Sequence, residues 1–368
     1  MKKLLFVARK MSVGGIETSL VNLLNFINKE HKEEYDITLF TFAGGKLLES
    51  IPENVRVITA ESDLNLISSS FNEVLKSQNP FKIFKRIYFV FYASTYGSDR
   101  LYSKLLKKHT LYEKFHAAIS YYNDNTNMRF SRGTNMFVSD FTDADKKVAW
   151  IHTDPELCGF DRNYCLNLYE KFDKIFCVSK AVKNKFCKLL PEYENKTEVF
   201  YNIFPKDEII AKADEYVPFE KGCFDIVTVG RIDNDTKRID LIVRLCKRLK
   251  DDGVCNFRWR IIGGGADLKS NVKLAKELDV SDLLEFTGEK INPYPYIKNS
   301  DLFALYSAYE GHPMVIGEAE VLGTFIITKN YAAAYEQISE NTGIICEDDE
   351  TFYNTLKNLI LKKAGEKC

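Results

Sequence analysis

The stretch ALYSAYEGHPMVIGEAEVLG, residues 304–323, decides how the chain is read. A short apolar run at 302–305 ends as a strand would, 307–313 reads as a turn, and 314–322 as a short helix. Pro313 suits the first helical position, where the N–H it lacks would be unpaired anyway, and Gly323 suits a left-handed stop. The apolar run 325–328 follows as the next strand. Glu310 falls in the loop before the helix and Glu318 on its second turn. A helix start offers unpaired N–H groups and a partial positive charge. Amides there can face a phosphate while the two carboxylates grip the hydroxyls of a sugar and of a ribose.

Outward from this stretch, the second half repeats one pattern. Strand 225–229 runs into Gly230-Arg231, a polar loop 232–236 and Lys237-Arg238. Helix 239–250 follows, with Ile242, Leu245, Cys246 and Leu249 on one face. Arg231 at a strand exit and Lys237 at a helix start converge on one sheet edge. Two fixed cations there would neutralise a departing diphosphate, at about 1.5–3 kcal/mol per charge-assisted bond. Strand 259–262 ends in Gly263-Gly264-Gly265, which invites close approach to a nucleotide. Helix 269–278, strand 283–287 with Gly288, short helix 294–299, strand 343–345 and a terminal amphipathic helix 351–363 complete this half.

The first half opens with strand 4–8, a loop ending in Gly14-Gly15, and helix 16–28, the start of a doubly wound domain. Further strands fall at 36–42, 55–58, 117–121, 147–151, 174–178 and 198–200. Ser179 reads as the N-cap of helix 180–190. His152 leaves strand 147–151 at the edge where such folds bind ligands. Two prolines and many charges in 203–222 mark an interdomain linker.

These segments together resemble the retaining glycosyltransferases of family 4, of GT-B fold. The carriers are the Glu310–Glu318 segment, the Gly230-Arg231-x5-Lys237 arrangement, Gly14-Gly15-x-Glu17-x-x-Leu20, and the run VAWIHTD around His152. The resemblance implies two doubly wound Rossmann-like α/β domains facing a central cleft. The acceptor-side domain is 1–203, the nucleotide-sugar domain 204–350, and a helix in 351–368 crosses back to the first. It implies catalytic roles for Glu310, His152, Arg231 and Lys237. It implies donor contacts from Gly14, Gly15, Gly263, Thr287, Gly288, Gly311 and Glu318, besides Arg231, Lys237 and Glu310. The implied reaction moves a hexose or N-acetylhexosamine from a nucleoside diphosphate sugar, with UDP the expected carrier, to a hydroxyl on a glycan, lipid-linked or protein-linked acceptor, with retention. Polysaccharide or glycoconjugate assembly is its usual setting. Protein cations do the work of a metal, so neither metal nor other cofactor is expected. Two departures stand out. His312-Pro313 replaces a frequent Phe-Gly after Glu-Gly, and Ala332-Ala333-Ala334 replaces a frequent Gly-Gly before Glu336.

Segment 76–108 differs in character. It carries Lys76, Lys82, Lys85, Arg86, Arg100, Lys104, Lys107 and Lys108 against one acid, Asp99, with six aromatics at 81–92 interleaved. Two readings stay open: a surface for an anionic membrane, or a core helix with a solvated lysine face. The bulk numbers fit a globular chain of two domains, with 368 residues, 45% hydrophobic and 28% charged. A net charge of −1 gives no reason to expect nucleic acid. No apolar run reaches the length of a spanning helix. Nine widely spaced cysteines without a C-x-x-C pair argue against zinc and dense disulfides, and fit a reducing cytoplasm, with peripheral contact to the inner membrane face left open. A non-catalytic partner subunit and a GT-B sugar-nucleotide epimerase are the alternatives. Donor turnover by the isolated chain excludes the first, and product analysis on donor alone detects the second.

Overall fold

The structure, a computed structural model, describes residues 1–61 and 63–366. Within Met1–Ile203 the elements are β1 (Lys2–Lys10), α1 (Gly15–Glu30), β2 (Tyr35–Ala43), β3 (Arg56–Thr59), α2 (Asp63–Ser68), α3 (Phe71–Lys76), α4 (Pro80–Tyr96), α5 (Ser98–Leu106), β4 (Leu111–Ser120), α6 (Thr134–Asp140), β5 (Thr142–Ile151), α7 (Arg162–Tyr169), β6 (Lys174–Cys177), α8 (Lys180–Leu189) and β7 (Thr197–Val199). From Phe204 onward they are α9 (Lys206–Ala213), β8 (Phe224–Val229), α10 (Ile239–Asp251), β9 (Phe257–Ile262), α11 (Leu268–Glu277), β10 (Leu284–Gly288), α12 (Tyr294–Asn299), β11 (Leu302–Leu305), α13 (Met314–Val321), β12 (Ile326–Lys329), α14 (Ala334–Gln337), β13 (Gly343–Cys346) and α15 (Asp349–Glu366).

Each unit holds one parallel sheet. The orders are β3-β2-β1-β4-β5-β6-β7 and β10-β9-β8-β11-β12-β13. In both, the chain winds outward in one direction, returns to the middle and winds the other way. The loops leaving the two central strands therefore part to opposite faces, and a crevice opens at their carboxyl ends. Strands covered on both faces need apolar residues at nearly every position, as the fully buried run Leu5–Ala8 illustrates. The first core centres on Leu5, Val7, Phe40 and Phe137, with Phe40 and Phe137 stacked at 4.5 Å. The second is built on Ile226, Trp259 and Phe352, and the Trp259 indole N–H donates to Thr228 Oγ1 at 3.0 Å.

Two sequence expectations change. The linker 203–222 contains a helix, α9, whose Ile209 and Ala213 are buried in the second unit. Pro205 caps that helix rather than marking open chain, because a residue without an N–H costs nothing at a helix start. Helix α15 packs on the sheet of the second unit. Phe352, Tyr353, Leu356 and Ile360 of α15 are core residues there, because they form one apolar face that β8, β12 and β13 cover. Lys367 and Cys368 lie outside the described residues. Pro313 takes the N-cap of α13 with extended ψ, one residue earlier than expected, while Gly323 adopts the left-handed φ of +70°.

The amino-terminal rim of the second sheet is tied by charge. The buried Arg260 donates to Asp225 Oδ1 at 2.6 Å and to Glu285 Oε2 at 3.0 Å. Asp301 accepts the Asp225 N–H at 2.9 Å and pairs with Lys363 of α15.

Candidate active site

At the carboxyl rim of the second sheet, three strand exits lie flat against one another. Gly230 N–H donates to Ile262 O and Ile232 N–H to Gly264 O, both at 2.9 Å, and Gly263 N–H reaches Gly288 O at 3.0 Å. A Cβ on Gly263, whose φ is +154°, would stand 1.8 Å from the Gly230 carbonyl oxygen. One on Gly265 would stand 2.0 Å from the Ile232 oxygen. Glycine is thus required for the backbones to close up, which leaves the rim low and bare beside the switch point between β8 and β11.

Lys237 and Glu310 meet at this point. Asp233 folds the loop after β8 into a turn: its Oδ1 accepts Thr236 N–H at 3.1 Å and its carbonyl accepts Lys237 N–H at 2.8 Å. The loop after β11 docks on that turn through Ala308 N–H to Thr236 O at 2.8 Å, and through Thr236 Oγ1 and Tyr309 OH at 3.3 Å. These bonds bring residues 73 positions apart into register, and Lys237 Nζ donates to Glu310 Oε1. The lysine stem passes over Gly230, whose missing side chain leaves it room. Only 16% of the Lys237 side chain and 14% of that of Glu310 are exposed. Stripping one member would leave a mostly buried charge uncompensated, at a cost of about 3–5 kcal/mol. Arg231 leaves the same rim but projects outward, 70% exposed, with its guanidinium 3.4 Å from Asp233. It is an available cation on a short tether.

Glu318 lies on α13, a helix of eight residues, and is only 4% exposed. Tyr294 OH, from α12, lies 3.4 Å from its Oε1. Burial pushes the carboxyl up to about 7, against which this long hydrogen bond is a weak counterweight. Gly311 is buried in the loop ahead of the helix. Thr287 and Gly288 close β10, with Thr287 Oγ1 3.5 Å from Ile261 O and Gly288 at φ +75°. His312 is half-buried and held near Gln337 at 3.3 Å, and its neutral form is favoured by burial. The departure at 312–313 is thereby accommodated, because Gln337 also donates to the Pro313 carbonyl at 3.2 Å.

In the first unit, Gly14 is the N-cap of α1 and Gly15 its first residue, so the pair stands at the exit of β1. Gly14 is fully extended and Gly15 exposed. His152 follows β5 and is 8% exposed. Its backbone N–H donates to Asn123 Oδ1 at 3.1 Å, and its ring packs on Tyr121 at 4.7 Å. Burial lowers its pKa to about 3, so the imidazole is neutral. The ring hydrogen-bonds the Tyr121 backbone, and Nε2 is buried with no partner. With the proton held towards a carbonyl, Nε2 presents a lone pair. Tyr121 in turn reaches α1, its hydroxyl 3.1 Å from Ser19 Oγ.

The structure therefore brings Lys237 to Glu310, and puts Arg231, Gly263, Thr287, Gly288, Gly311 and Glu318 on strand exits or the α13 segment of one unit. His152, Gly14 and Gly15 take equivalent exits in the other. Sequence reasoning missed Asp233, which folds the loop after β8, and Tyr294 and Asn123, which hold Glu318 and His152. Tyr294 opens the short helix just before the glutamate segment, and that position was the available signal.

Residues 211–367 match the family model of Glycosyl transferases group 1, which covers nearly all of the second unit. The chain is 27% identical over 205 residues to the N-acetylgalactosamine-N,N'-diacetylbacillosaminyl-diphospho-undecaprenol 4-alpha-N-acetylgalactosaminyltransferase of Campylobacter jejuni. That match covers 54% of this chain and 54% of the relative, so the chain spans about half that relative's length. An uncharacterized glycosyltransferase of Haemophilus influenzae is 23% identical over 367 residues, covering 95% of this chain and 87% of its own. Among solved structures, Anabaena Alr3699/HepE in complex with UDP and glucose has a TM-score of 0.66 at 18% identity, covering 98% of this chain and 89% of that chain. The chain has the GT-B fold, and its second unit is similar to the Glycosyl transferases group 1 family.

Proposed function

We propose that this protein transfers a hexose or N-acetylhexosamine from a UDP sugar to an acceptor hydroxyl with retention at the anomeric carbon, as the retaining enzymes of family 4 do. The mostly buried Lys237–Glu310 pair at the switch point carries the reading, with Arg231 on the same strand exit as Lys237 and the buried Glu318 on the helix that follows Glu310. The barrier is separation of a diphosphate from an oxocarbenium-like sugar. The bond from C1 to the phosphate oxygen breaks with its electron pair going to that oxygen. The acceptor oxygen attacks the same face, and its proton passes to the departing phosphate. Lys237 and Arg231 neutralise the charge that develops on the diphosphate, Glu310 orients the sugar, and Glu318 accepts the ribose hydroxyls. The Gly14–Gly15 amides and the Nε2 of His152 are assigned to the diphosphate and the sugar. Protein cations replace a metal, so chelators leave the rate unchanged.

UDP as carrier draws support from the UDP bound to Alr3699/HepE. An acceptor on a polyprenyl diphosphate in glycoconjugate assembly draws support from the name of the Campylobacter relative. The test uses Glu310→Gln alone and Lys237→Met with Glu310→Gln, a pair that removes both charges and keeps their volume. Each is expected to lower transfer about 100–1,000-fold, with the unfolding curve retained in the double variant, which leaves neither charge unpaired. Near-normal turnover in both rejects the assignment.

A further inference from the structure

Helix α4 has two apolar faces, and the fold uses one of them. Arg86, Phe89 and Ala93 point inward and are buried. The Arg86 guanidinium lies 4.0 Å over the Phe130 ring, and the Phe130 carbonyl is gripped by Arg9 Nη1 at 3.0 Å and Tyr102 OH at 3.1 Å. The inward face is thus locked to the loop that leaves β4. At about 100° per residue, Phe81, Phe84, Ile87, Tyr88 and Phe91 fall within an arc of about 120° on the other side of the helix. They are 71%, 72%, 50%, 51% and 65% exposed. No charged residue falls within that arc. A helix that merely met water on this side would carry its lysines there.

Cations stand at its margin: Lys85 Nζ lies 5.7 Å from the Phe81 ring centre, and from α5 Lys104 Nζ lies 5.7 Å from the Tyr92 ring and the Arg100 guanidinium 6.0 Å from the Tyr96 ring. Lys76 and Lys82, and on α5 and just after it Arg100, Lys104, Lys107 and Lys108, are exposed. The acids nearby are already engaged: Asp99 by Arg132 at 3.0 Å, and Asp63 by Lys85 at 2.5 Å. Aromatics on one face and cations at its margin are the pattern of a helix that lies in a membrane interface rather than crossing it. Among the described residues no helix is long and apolar enough to cross a membrane. A second copy of the chain fits poorly, since a two-fold contact through α4 would press the same cation cluster against itself.

We infer that the outward face of α4 docks on an anionic lipid bilayer, with Phe81, Phe84, Ile87, Tyr88 and Phe91 at the acyl boundary and the α5 cations among the headgroups. The inference is independent of the transfer chemistry, because docking requires no donor. The protein is sedimented with phosphatidylcholine vesicles, pure or containing about one-third phosphatidylglycerol, at low and high salt. Binding to the anionic vesicles is expected to exceed binding to neutral ones about tenfold or more at low salt, and to fall at high salt. Phe81→Ser/Phe84→Ser/Phe91→Ser is expected to lose about tenfold or more of that binding with an unchanged unfolding temperature and unchanged transfer to a short soluble acceptor. Lys104→Glu/Lys107→Glu, which leaves the apolar face intact, is expected to abolish the preference for anionic vesicles. The inference is overturned if the wild-type protein shows no such preference, or if both variants bind as it does. It is also overturned if light scattering finds a dimer that the triple variant dissolves. A wild-type protein that transfers to the soluble acceptor but binds neither vesicle would remove this inference and leave the transfer reading standing.

Discussion

Glu318 shows how burial converts an ordinary side chain into a sensor. Its ordinary value is 4.5, and burial raises it to about 7 in the fold. Below the unfolded value the acid is neutral in both states and burial carries no penalty. As pH climbs through this window the folded state must hold an ever larger share of desolvated charge, and the cost is complete above about 7. The contribution of Glu318 to stability should therefore fall across that range, by roughly 3 kcal/mol at most. Glu318→Gln should remove this fall, so that stability at pH 8 relative to pH 5 is higher in the variant than in the wild-type protein, as thermal unfolding at the two values will report. Ligand binding runs the other way, because ribose hydroxyls need the ionised acceptor. Uridine, which has no phosphate to titrate, should bind about tenfold more weakly at pH 6 than well above 7 in the wild-type protein, with no such change in Glu318→Gln. A pH-independent uridine affinity would remove Glu318 from the ribose. His152 adds no limb to the uridine profile, since burial keeps it neutral in the fold. It adds an opposite limb to the stability profile: the unfolded imidazole takes up a proton below about 6.5 that the folded one does not, so its share of stability is lost as pH falls. None of this is written in the local sequence. The pattern around 314–322 places Glu318 on a helix, but its desolvation depends on Tyr294, 24 positions away, and on packing that only the folded chain supplies.

Elements tell the same lesson in reverse, because backbone geometry leaves local signatures. The Gly263-Gly264-Gly265 run invites a nucleotide in the sequence, and what the structure shows against it is the Gly230–Ile232 backbone. Gly263→Ala has no soft neighbour to push aside. We expect a loss of about 2–3 kcal/mol and a fall of several degrees in the unfolding temperature of the second unit. An unchanged melting curve would mean that the strand exits are not pressed together. Most strands and helices were legible for a related reason: buried parallel strands and amphipathic helices repeat with periods that survive in one dimension. The failures fall where composition misleads. The charged, proline-bearing 203–222 looked like open linker, yet Pro205 starts α9 and Ile209 anchors it. The two faces of α4 could not be sorted into core and surface by periodicity, since both are apolar.

At the scale of the whole molecule, two units each carry their own sheet and their own core, split at Ile203 and Phe204. A nucleotide held by the second unit should stabilise that unit directly. With UDP at about one hundred times its dissociation constant, the gain is about 2.7 kcal/mol. Calorimetry on the full chain should show the corresponding transition move upward, and a wholly unmoved trace would argue that the rim of the second sheet is not the nucleotide site. The two rims of that sheet are built in contrasting ways. The amino-terminal one is riveted by Arg260, Asp225, Glu285, Asp301 and Lys363, five side chains drawn from four strands or their approaches and from the last helix. The carboxyl rim, by contrast, is assembled from loops and bare glycine backbone. Foundation and workshop are thereby uncoupled: sugar preference can drift through changes in the loops while the base on which they stand keeps its shape.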